Sequence, residues 1–196
     1  MKRLVLSLPL AAGLGLAAVP ALAQGSAVAP VVATSAVYAP ITIAEVEAAQ
    51  KAWGDALVAI STEHDTKGHA AATRLAEQVL DAAYAYGMGP VLFKPTLTVA
   101  PQTFRTAREG ALAYFVGGNP NYPNDSGFAL KHWRRYQIDN AGIVITGNSA
   151  TSMGNVTLWD SNGAMTRVDK TWGYVRGGDG KLRIVLHHSS LPYAPK

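Results

Sequence analysis

The chain has 196 residues, of which 17 are lysine or arginine and 13 are aspartate or glutamate; its net charge is +4 at pH 7 and it has no cysteine. The absence of cysteine excludes a disulfide framework, a thiolate nucleophile and cysteine-bound zinc. The small positive charge is scattered along the chain, which does not favour nucleic acid as a partner. The length is sufficient for one domain with a sizeable core.

The first 23 residues have the pattern of a signal peptide. Lys2 and Arg3 form a basic start, residues 4–19 are mostly apolar, and a small-residue motif fits cleavage after Ala23. Prolines and glycines interrupt the apolar run, which argues against a membrane anchor. We therefore expect an exported protein, periplasmic or secreted, with no membrane attachment after cleavage. Residues 24–40 are rich in alanine, valine, serine and proline, which indicates a flexible tether.

Three stretches of the next 80 or so residues have helical patterns. Thr42 and Glu45 have the spacing of a capping box, and apolar residues follow at helical intervals as far as Ile60. A second helix is predicted over about 67–86 and a third over 106–116, each followed by glycine residues that favour a helix end.

The rest of the chain favours β-strands. Residues 91–101 are β-favouring but interrupted by prolines, which indicates an edge strand. Further strands are predicted over 131–139, 142–146, 149–159, 165–175 and 182–190. Because tight turns join most of these runs, we expect antiparallel pairing. The order of elements predicts an α+β fold, a single domain over 41–193 with N-terminal helices packed on a curved antiparallel sheet.

The last predicted strand ends in two histidines and two serines. Side chains alternate along a strand, so His187 and Ser189 share one face while His188 and Ser190 share the other. The adjacent histidines cannot easily bind the same metal ion, and no H-x-H, H-E-x-x-H or cysteine pair supplies further ligands. A metal site is therefore not favoured, although zinc stays an open alternative.

Hydroxyl groups offer a second candidate site. Thr96, Tyr114 and Ser189, with His187 behind Ser189, would supply donors and acceptors for a small planar oxyanion. The simpler interpretation is that these are ordinary core or rim hydroxyls, and spacing alone favours it. A serine hydrolase is not favoured, because no G-x-S-x-G motif provides a nucleophile elbow.

Three segments resemble a known family. They are V-L-F-K-P-T at 91–96, F-R-T-A-R-E-G-A-L-A-Y-F-V-G-G-N at 104–119 and L-H-H-S-S-L-P-Y at 186–193. The family is the iota-class carbonic anhydrases, whose domain is similar to the association domain of calcium/calmodulin-dependent kinase II in the NTF2-like superfamily of cone-shaped α+β folds. The resemblance implies reversible hydration of carbon dioxide to bicarbonate in the cavity of the cone.

The resemblance also implies roles for particular residues. In metal-free members of the family a threonine, a tyrosine and a serine hold the water or bicarbonate, and these match Thr96, Tyr114 and Ser189. The family commonly has a third histidine before the histidine pair, where this chain has Leu186. We therefore favour a reaction without a cofactor, with zinc or manganese, which some members are described as using, as the alternative.

A metal-free reaction needs another route for the proton that water loses. We expect the three hydroxyls to orient one water molecule and His187 or His188 to relay its proton outward, since histidine titrates near neutral pH.

Aromatic residues are expected to form the wall that holds carbon dioxide. Trp172 and Tyr174 share one face of a predicted strand, and Phe115 follows Tyr114 in the third helix. Plain core packing explains these residues equally well.

Two other functions fit the same elements. Cone-shaped folds also serve as non-catalytic small-ligand-binding or oligomerisation modules, and an open sheet face suggests a homodimer. A proton-transfer enzyme similar to ketosteroid isomerase would need a carboxylate base in the cavity. Asp169 is the nearest carboxylate, but alternation places it on the opposite face from Trp172.

Overall fold

A computed structural model describes residues 39–195. The predicted signal peptide over 1–23 lies outside the described residues, as does the predicted tether except for its last two residues. The helices are α1 (Ile43–Lys67), α2 (His69–Ala83) and α3 (Arg108–Val116), with 3-10 turns at Ala85–Gly87 and Phe128–Leu130. The strands are β1 (Leu92–Lys94), β2 (Trp133–Thr146), β3 (Ser149–Asp160), β4 (Met165–Arg176) and β5 (Leu182–Ser190).

Helix α1 begins as the sequence predicts. The Thr42 hydroxyl accepts a hydrogen bond from the Glu45 N–H at 3.2 Å, and the Glu45 carboxylate accepts one from the Thr42 N–H at 2.8 Å. These two bonds form the predicted capping box. Val46, Trp53 and Leu57 lie on the buried face of the helix, so the predicted apolar stripe is the surface that packs on the core.

Helix α2 is shorter than predicted at both ends. Gly68 has a φ of 83° and its N–H closes the last turn of α1, so α2 begins at His69. Tyr84 has an extended backbone, which ends α2 at Ala83 before the following 3-10 turn. Tyr84 thereby leaves the helix, and its side chain enters the core with 2% of its surface exposed.

The five strands form one sheet in the order β1-β5-β4-β3-β2. The neighbours from β5 to β2 are antiparallel, as their short connections require. Strand β1 pairs with β5 in parallel, which corrects the expectation of antiparallel pairing at this edge. A long stretch of chain separates β1 from β5, so no hairpin determines the direction in which they pair.

Strand β2 is one long strand where two were predicted. The predicted runs over 131–139 and 142–146 lie in the same strand, and a bulge leaves Ala141 without a partner on β3. Gly154 lies opposite this bulge, where a Cβ would come within 2.1 Å of the Asp139 carbonyl oxygen. The bulge bends the strand without ending it.

The two faces of the sheet differ in what covers them. The inner face packs against the helices in one hydrophobic core, which includes Val156, Leu158 and Val168. The outer face leaves large apolar side chains exposed, among them Leu92, Val144, Met153 and Met165. Helices on one face of a sheet confirm the predicted α+β class. Within residues 39–195, no helix combines the length and the apolar character that crossing a membrane requires.

Candidate active site

The end of β5 brings His187 and Ser189 into the core. Both residues are 1% exposed, whereas His188 between them is exposed on the outer face. The predicted alternation along this strand is therefore confirmed. The strand register pairs His187 with Phe93 of β1 on one side and with Trp172 of β4 on the other.

Thr96 reaches Ser189 because β1 runs parallel to β5. The register pairs Lys94, the last residue of β1, with His188, so the chain just beyond β1 lies beside the end of β5. The hydroxyl oxygens of Thr96 and Ser189 are 2.6 Å apart. Lys94 Nζ also donates to the Ser189 carbonyl at 3.0 Å, which ties the two strand ends together.

Tyr114 approaches the same place from α3. Its ring stacks on Phe128 with 5.4 Å between centroids and meets Phe93 edge-on at 5.7 Å. Its hydroxyl oxygen is buried and has no hydrogen-bond partner among the described residues. Burial raises the pKa of Tyr114 above its usual range, while the Thr96 hydroxyl and the backbone of Leu97 and Thr96 act to lower it. The Tyr114 hydroxyl therefore lies close to Thr96, and no described residue is placed to accept its proton.

Three hydroxyl groups converge at this place, which we call the hydroxyl site: Thr96, Tyr114 and Ser189. Each hydroxyl can donate one hydrogen bond and accept others. A buried hydroxyl without a partner costs about 1–3 kcal/mol, so a ligand oxygen that accepts from Tyr114 recovers that energy. A small oxyanion with several acceptor oxygens has the chemistry that this arrangement can bind.

Phe115 packs against Tyr114 with 5.5 Å between ring centroids, and Trp172 packs against His187 in the same core. Both are buried, with 5% and 1% of their surfaces exposed. Phe115 stacks on Phe93 at 5.7 Å, and the Trp172 ring lies 6.0 Å from the ring of His187. These contacts join the two residues to the strands that carry the site.

Two residues that the sequence assigned to the site lie elsewhere. Tyr174 is buried, but it pairs with Ile184 near the start of β5 and lines a separate groove of about 280 Å³ beside α1 and α2. His188 lines a groove of about 550 Å³ on the outer face, together with Leu92 and Phe104. The sheet separates His188 from Ser189, because adjacent strand residues point to opposite faces.

His187 is held by a buried chain of hydrogen bonds. The Trp53 indole N–H donates to the Tyr84 hydroxyl oxygen at 3.0 Å, and this oxygen lies 2.8 Å from Nδ1 of His187. Across the ring, Lys170 Nζ lies 2.5 Å from Nε2. Burial, together with the neighbouring Lys170 and His188, lowers the pKa of His187 well below its usual value. Both ring nitrogens are engaged, so His187 has no free nitrogen with which to take a proton from the hydroxyl site.

The sequence patterns did not point to Lys170 or Tyr84. Lys170 is only 4% exposed, and burial lowers its pKa well below the ordinary lysine value. A signal for Lys170 was present, because it precedes Trp172 by two residues and alternation places both on the inner face. Tyr84 gave no such signal, since it fell inside the predicted second helix.

The residues of the site do not fit a zinc or manganese centre. Within residues 39–195, no group of three or more histidine, cysteine, aspartate or glutamate side chains is arranged to hold a metal ion. His187 has both nitrogens engaged, and His188 lies on the other face of the sheet.

Comparison with known proteins gives strong matches. The family model for metal-independent carbonic anhydrase matches residues 44–191. A metal-independent carbonic anhydrase of Nostoc sp. strain PCC 7120 is 60% identical over 168 residues, which cover 83% of this chain and 82% of the relative. The crystal structure of an iota-carbonic anhydrase from a cyanobacterium, complexed with bicarbonate, is 60% identical with a TM-score of 0.80, over 83% of this chain and 99% of that one. An NTF2-like protein of unknown function from Pseudomonas putida KT2440 is only 12% identical with a TM-score of 0.48, over 80% of this chain and 92% of that one.

Proposed function

We propose that this chain, which belongs to the metal-independent carbonic anhydrase family, carries out its reaction at Thr96, Tyr114 and Ser189. The reaction is the reversible hydration of carbon dioxide to bicarbonate. The observation that carries the proposal is the buried Tyr114 hydroxyl, which lies beside the paired Thr96 and Ser189 hydroxyls and has no hydrogen-bond partner among the described residues. The resemblance to the iota-class carbonic anhydrases is confirmed, and the solved relative is complexed with bicarbonate.

The hydroxyl site binds the oxygens that react. Thr96 and Ser189 orient a water molecule, and Tyr114 donates to the oxygen on which negative charge develops as the water attacks carbon dioxide. Carbon dioxide carries no charge, so it lies against the apolar surfaces of Phe115 and Trp172. Holding the two reactants in contact replaces a bimolecular encounter with a reaction inside one complex, which is the main contribution of this wall.

The reaction proceeds without a metal ion, since the family and the Nostoc relative are both metal-independent carbonic anhydrases. A zinc enzyme obtains its hydroxide because the metal lowers the pKa of bound water to about 7. Here the protein itself has to accept the proton that water loses. His187 does not do so directly, because both of its nitrogens are engaged, and His188 faces away from the site.

We expect stopped-flow hydration of carbon dioxide by the purified protein to continue at the same rate after chelator treatment, with the metal content checked by mass spectrometry. The physical reason is that no described residues at the hydroxyl site form a set of metal ligands, so a chelator has no bound metal ion to remove. A rate that returns only when metal is added back would contradict the proposal. A folded protein that is inactive in both states would favour a non-catalytic small-ligand-binding or oligomerisation module.

We also propose that the chain is exported, cleaved after Ala23, and pairs as a homodimer through the outer face of the sheet. The signal pattern supports export, and the exposed Val144, Met153 and Met165 support pairing of two apolar faces. Native mass spectrometry of protein collected outside the cytoplasm should give the mass of two chains that begin at Gln24. An uncleaved chain would contradict the export proposal, and a monomer at micromolar concentration would contradict the dimer.

A further inference from the structure

The hydrogen bonds around His187 determine where the protons of several buried side chains lie. The Trp53 indole can only donate, so the Tyr84 oxygen accepts from it. The proton of the Tyr84 hydroxyl then has one acceptor among its contacts, Nδ1 of His187. Because Nδ1 accepts a hydrogen bond, His187 is a neutral ring that carries its proton on Nε2.

Lys170 therefore has to accept a hydrogen bond. The Nε2–H of His187 points to Lys170 Nζ, which is 2.5 Å away. An ammonium group has three donors and no acceptor, whereas a neutral amine has a lone pair that can accept. The opposite tautomer of His187 would leave the Tyr84 proton without an acceptor among its contacts. The neutral amine is thus the form of Lys170 that satisfies the whole chain.

The surroundings of Lys170 suit an amine that is neutral at rest and charged for a short time. The groups packed around its Nζ are His187 of β5, the Trp53 ring of α1 at 4.4 Å and the Trp172 ring of β4 at 5.6 Å. Burial lowers its pKa, and no acidic group of the described residues acts in the opposite direction. Indole faces attract cations, so these two rings can stabilise an ammonium group when it forms.

Lys170 also lies next to the hydroxyl site. The register of β4 and β5 pairs Lys170 with Ser189, and both residues are buried on the inner face. The Cβ atoms of such antiparallel partners are about 4.5–5.5 Å apart. The four-carbon stem of a lysine is flexible, and the proposal that follows requires the amine to turn from His187 toward the Ser189 hydroxyl.

We propose that Lys170 is the internal acceptor of the proton that water loses during hydration, a role that rests on the proposed function of the hydroxyl site. The water oxygen forms a bond to the carbon of carbon dioxide, and one carbon–oxygen π pair moves onto an oxygen atom. The water proton passes to the Ser189 oxygen while the Ser189 proton passes to the lone pair of Lys170 Nζ. Two neutral reactants and a neutral amine give bicarbonate and an ammonium group, which balances atoms and charge. The ammonium releases its proton when solvent replaces bicarbonate.

The substitution Lys170→Gln separates proton transfer from a positioning role. A glutamine carbonyl can accept from Nε2–H of His187 and keep that ring in place, but it has no basic nitrogen. We expect kcat/KM for hydration to fall by about 100-fold or more, the usual effect of losing a general base. The wild-type rate should fall as acid protonates Lys170, and the residual rate of the variant should lack this ionisation. A variant with the wild-type rate and pH profile would overturn the proposal.

The pH dependence of unfolding tests the neutral state separately. Burial lowers the pKa of Lys170 in the folded protein, so this lysine is neutral there at pH values at which the unfolded chain still binds a proton. The free energy of unfolding therefore rises with pH until the pH reaches the ordinary lysine pKa of 10.5. The difference in free energy of unfolding between the wild type and Lys170→Gln should show this rise. A difference that does not change with pH would mean that Lys170 is a permanent ammonium and would contradict the proposal.

Two further measurements cover a failure of the variant or of the premise. If the variant does not fold, nitrogen-15 NMR of the lysine amines in wild-type protein at neutral pH replaces it. The spectrum should show one neutral amine, assigned to Lys170 by its burial. A spectrum that contains ammonium signals and no neutral amine would overturn the proposal. Folded wild-type protein without hydration activity would contradict the function proposed for the hydroxyl site. If the wild type and Lys170→Gln were both fully active, the role of Lys170 would be contradicted while the function of the hydroxyl site would stand.

Discussion

Tyr114→Phe is expected to abolish carbon dioxide hydration without weakening the fold. The substitution removes the donor that stabilises charge on the forming bicarbonate, and losing one such donor typically lowers kcat by about 100- to 1,000-fold. Among residues 39–195 the lost hydroxyl has no hydrogen-bond partner, so its removal breaks no hydrogen bond of the folded core. Stopped-flow hydration and thermal unfolding of the same sample measure the two effects.

Tyr174→Phe is the matched control for this substitution. Tyr174 is also a buried tyrosine whose hydroxyl has no partner in the part of the chain that the structure describes, but on β4 it pairs with Ile184, away from the end of β5 that carries Ser189. It should therefore retain the wild-type rate with a similar Tm. Equal loss of activity in both variants would show that the effect comes from core packing, and full activity in Tyr114→Phe would remove Tyr114 from the reaction.

Asp125→Ala is expected to destabilise the protein by about 3–5 kcal/mol, because it leaves a buried guanidinium group without its counter-ion. Arg105 Nη2 contacts both oxygens of the Asp125 carboxylate at 3.0 Å, and the two side chains are only 3% and 2% exposed. The Arg105 N–H also donates to the Phe93 carbonyl at 2.8 Å, so this ion pair anchors the connection that carries Thr96. Urea unfolding followed by tryptophan fluorescence measures the loss.

An exposed ion pair provides the control for this substitution. Arg108 Nε lies 2.6 Å from Asp81, but both side chains are well exposed, at 36% and 62%. Pairs of this kind contribute at most about 1 kcal/mol, so Asp81→Ala should shift the unfolding midpoint only slightly. A similar shift in the two variants would contradict the argument from burial.

Features that depend on neighbouring residues were predictable from the sequence. The spacing of Thr42 and Glu45 predicted the capping box that starts α1. The alternation of a strand predicted that His187 and Ser189 enter the core while His188 does not. Both predictions hold because hydrogen bonding at a helix start and side-chain direction in a strand are determined over a few residues.

Features that depend on distant parts of the chain were not predictable. The extended backbone of Tyr84 interrupts what reads as a continuous helix, because its side chain is buried against a residue 103 positions away, His187. The parallel pairing of β1 with β5 brings Thr96 to Ser189, and no turn motif indicates it. Lys170 could be placed on the inner face by alternation, but its role depends on that same hydrogen-bonded chain.

The convergence of the hydroxyl site around the reacting oxygens is the central claim, and a crystal structure of the chelator-treated protein with bicarbonate tests it most directly. The anion should lie within hydrogen-bonding distance of Thr96, Tyr114 and Ser189, with no anomalous scattering from a metal ion beside it. Bicarbonate bound at a metal ion, or in the outer groove beside His188 with the hydroxyl site unchanged, would show that the reaction does not take place at Thr96, Tyr114 and Ser189.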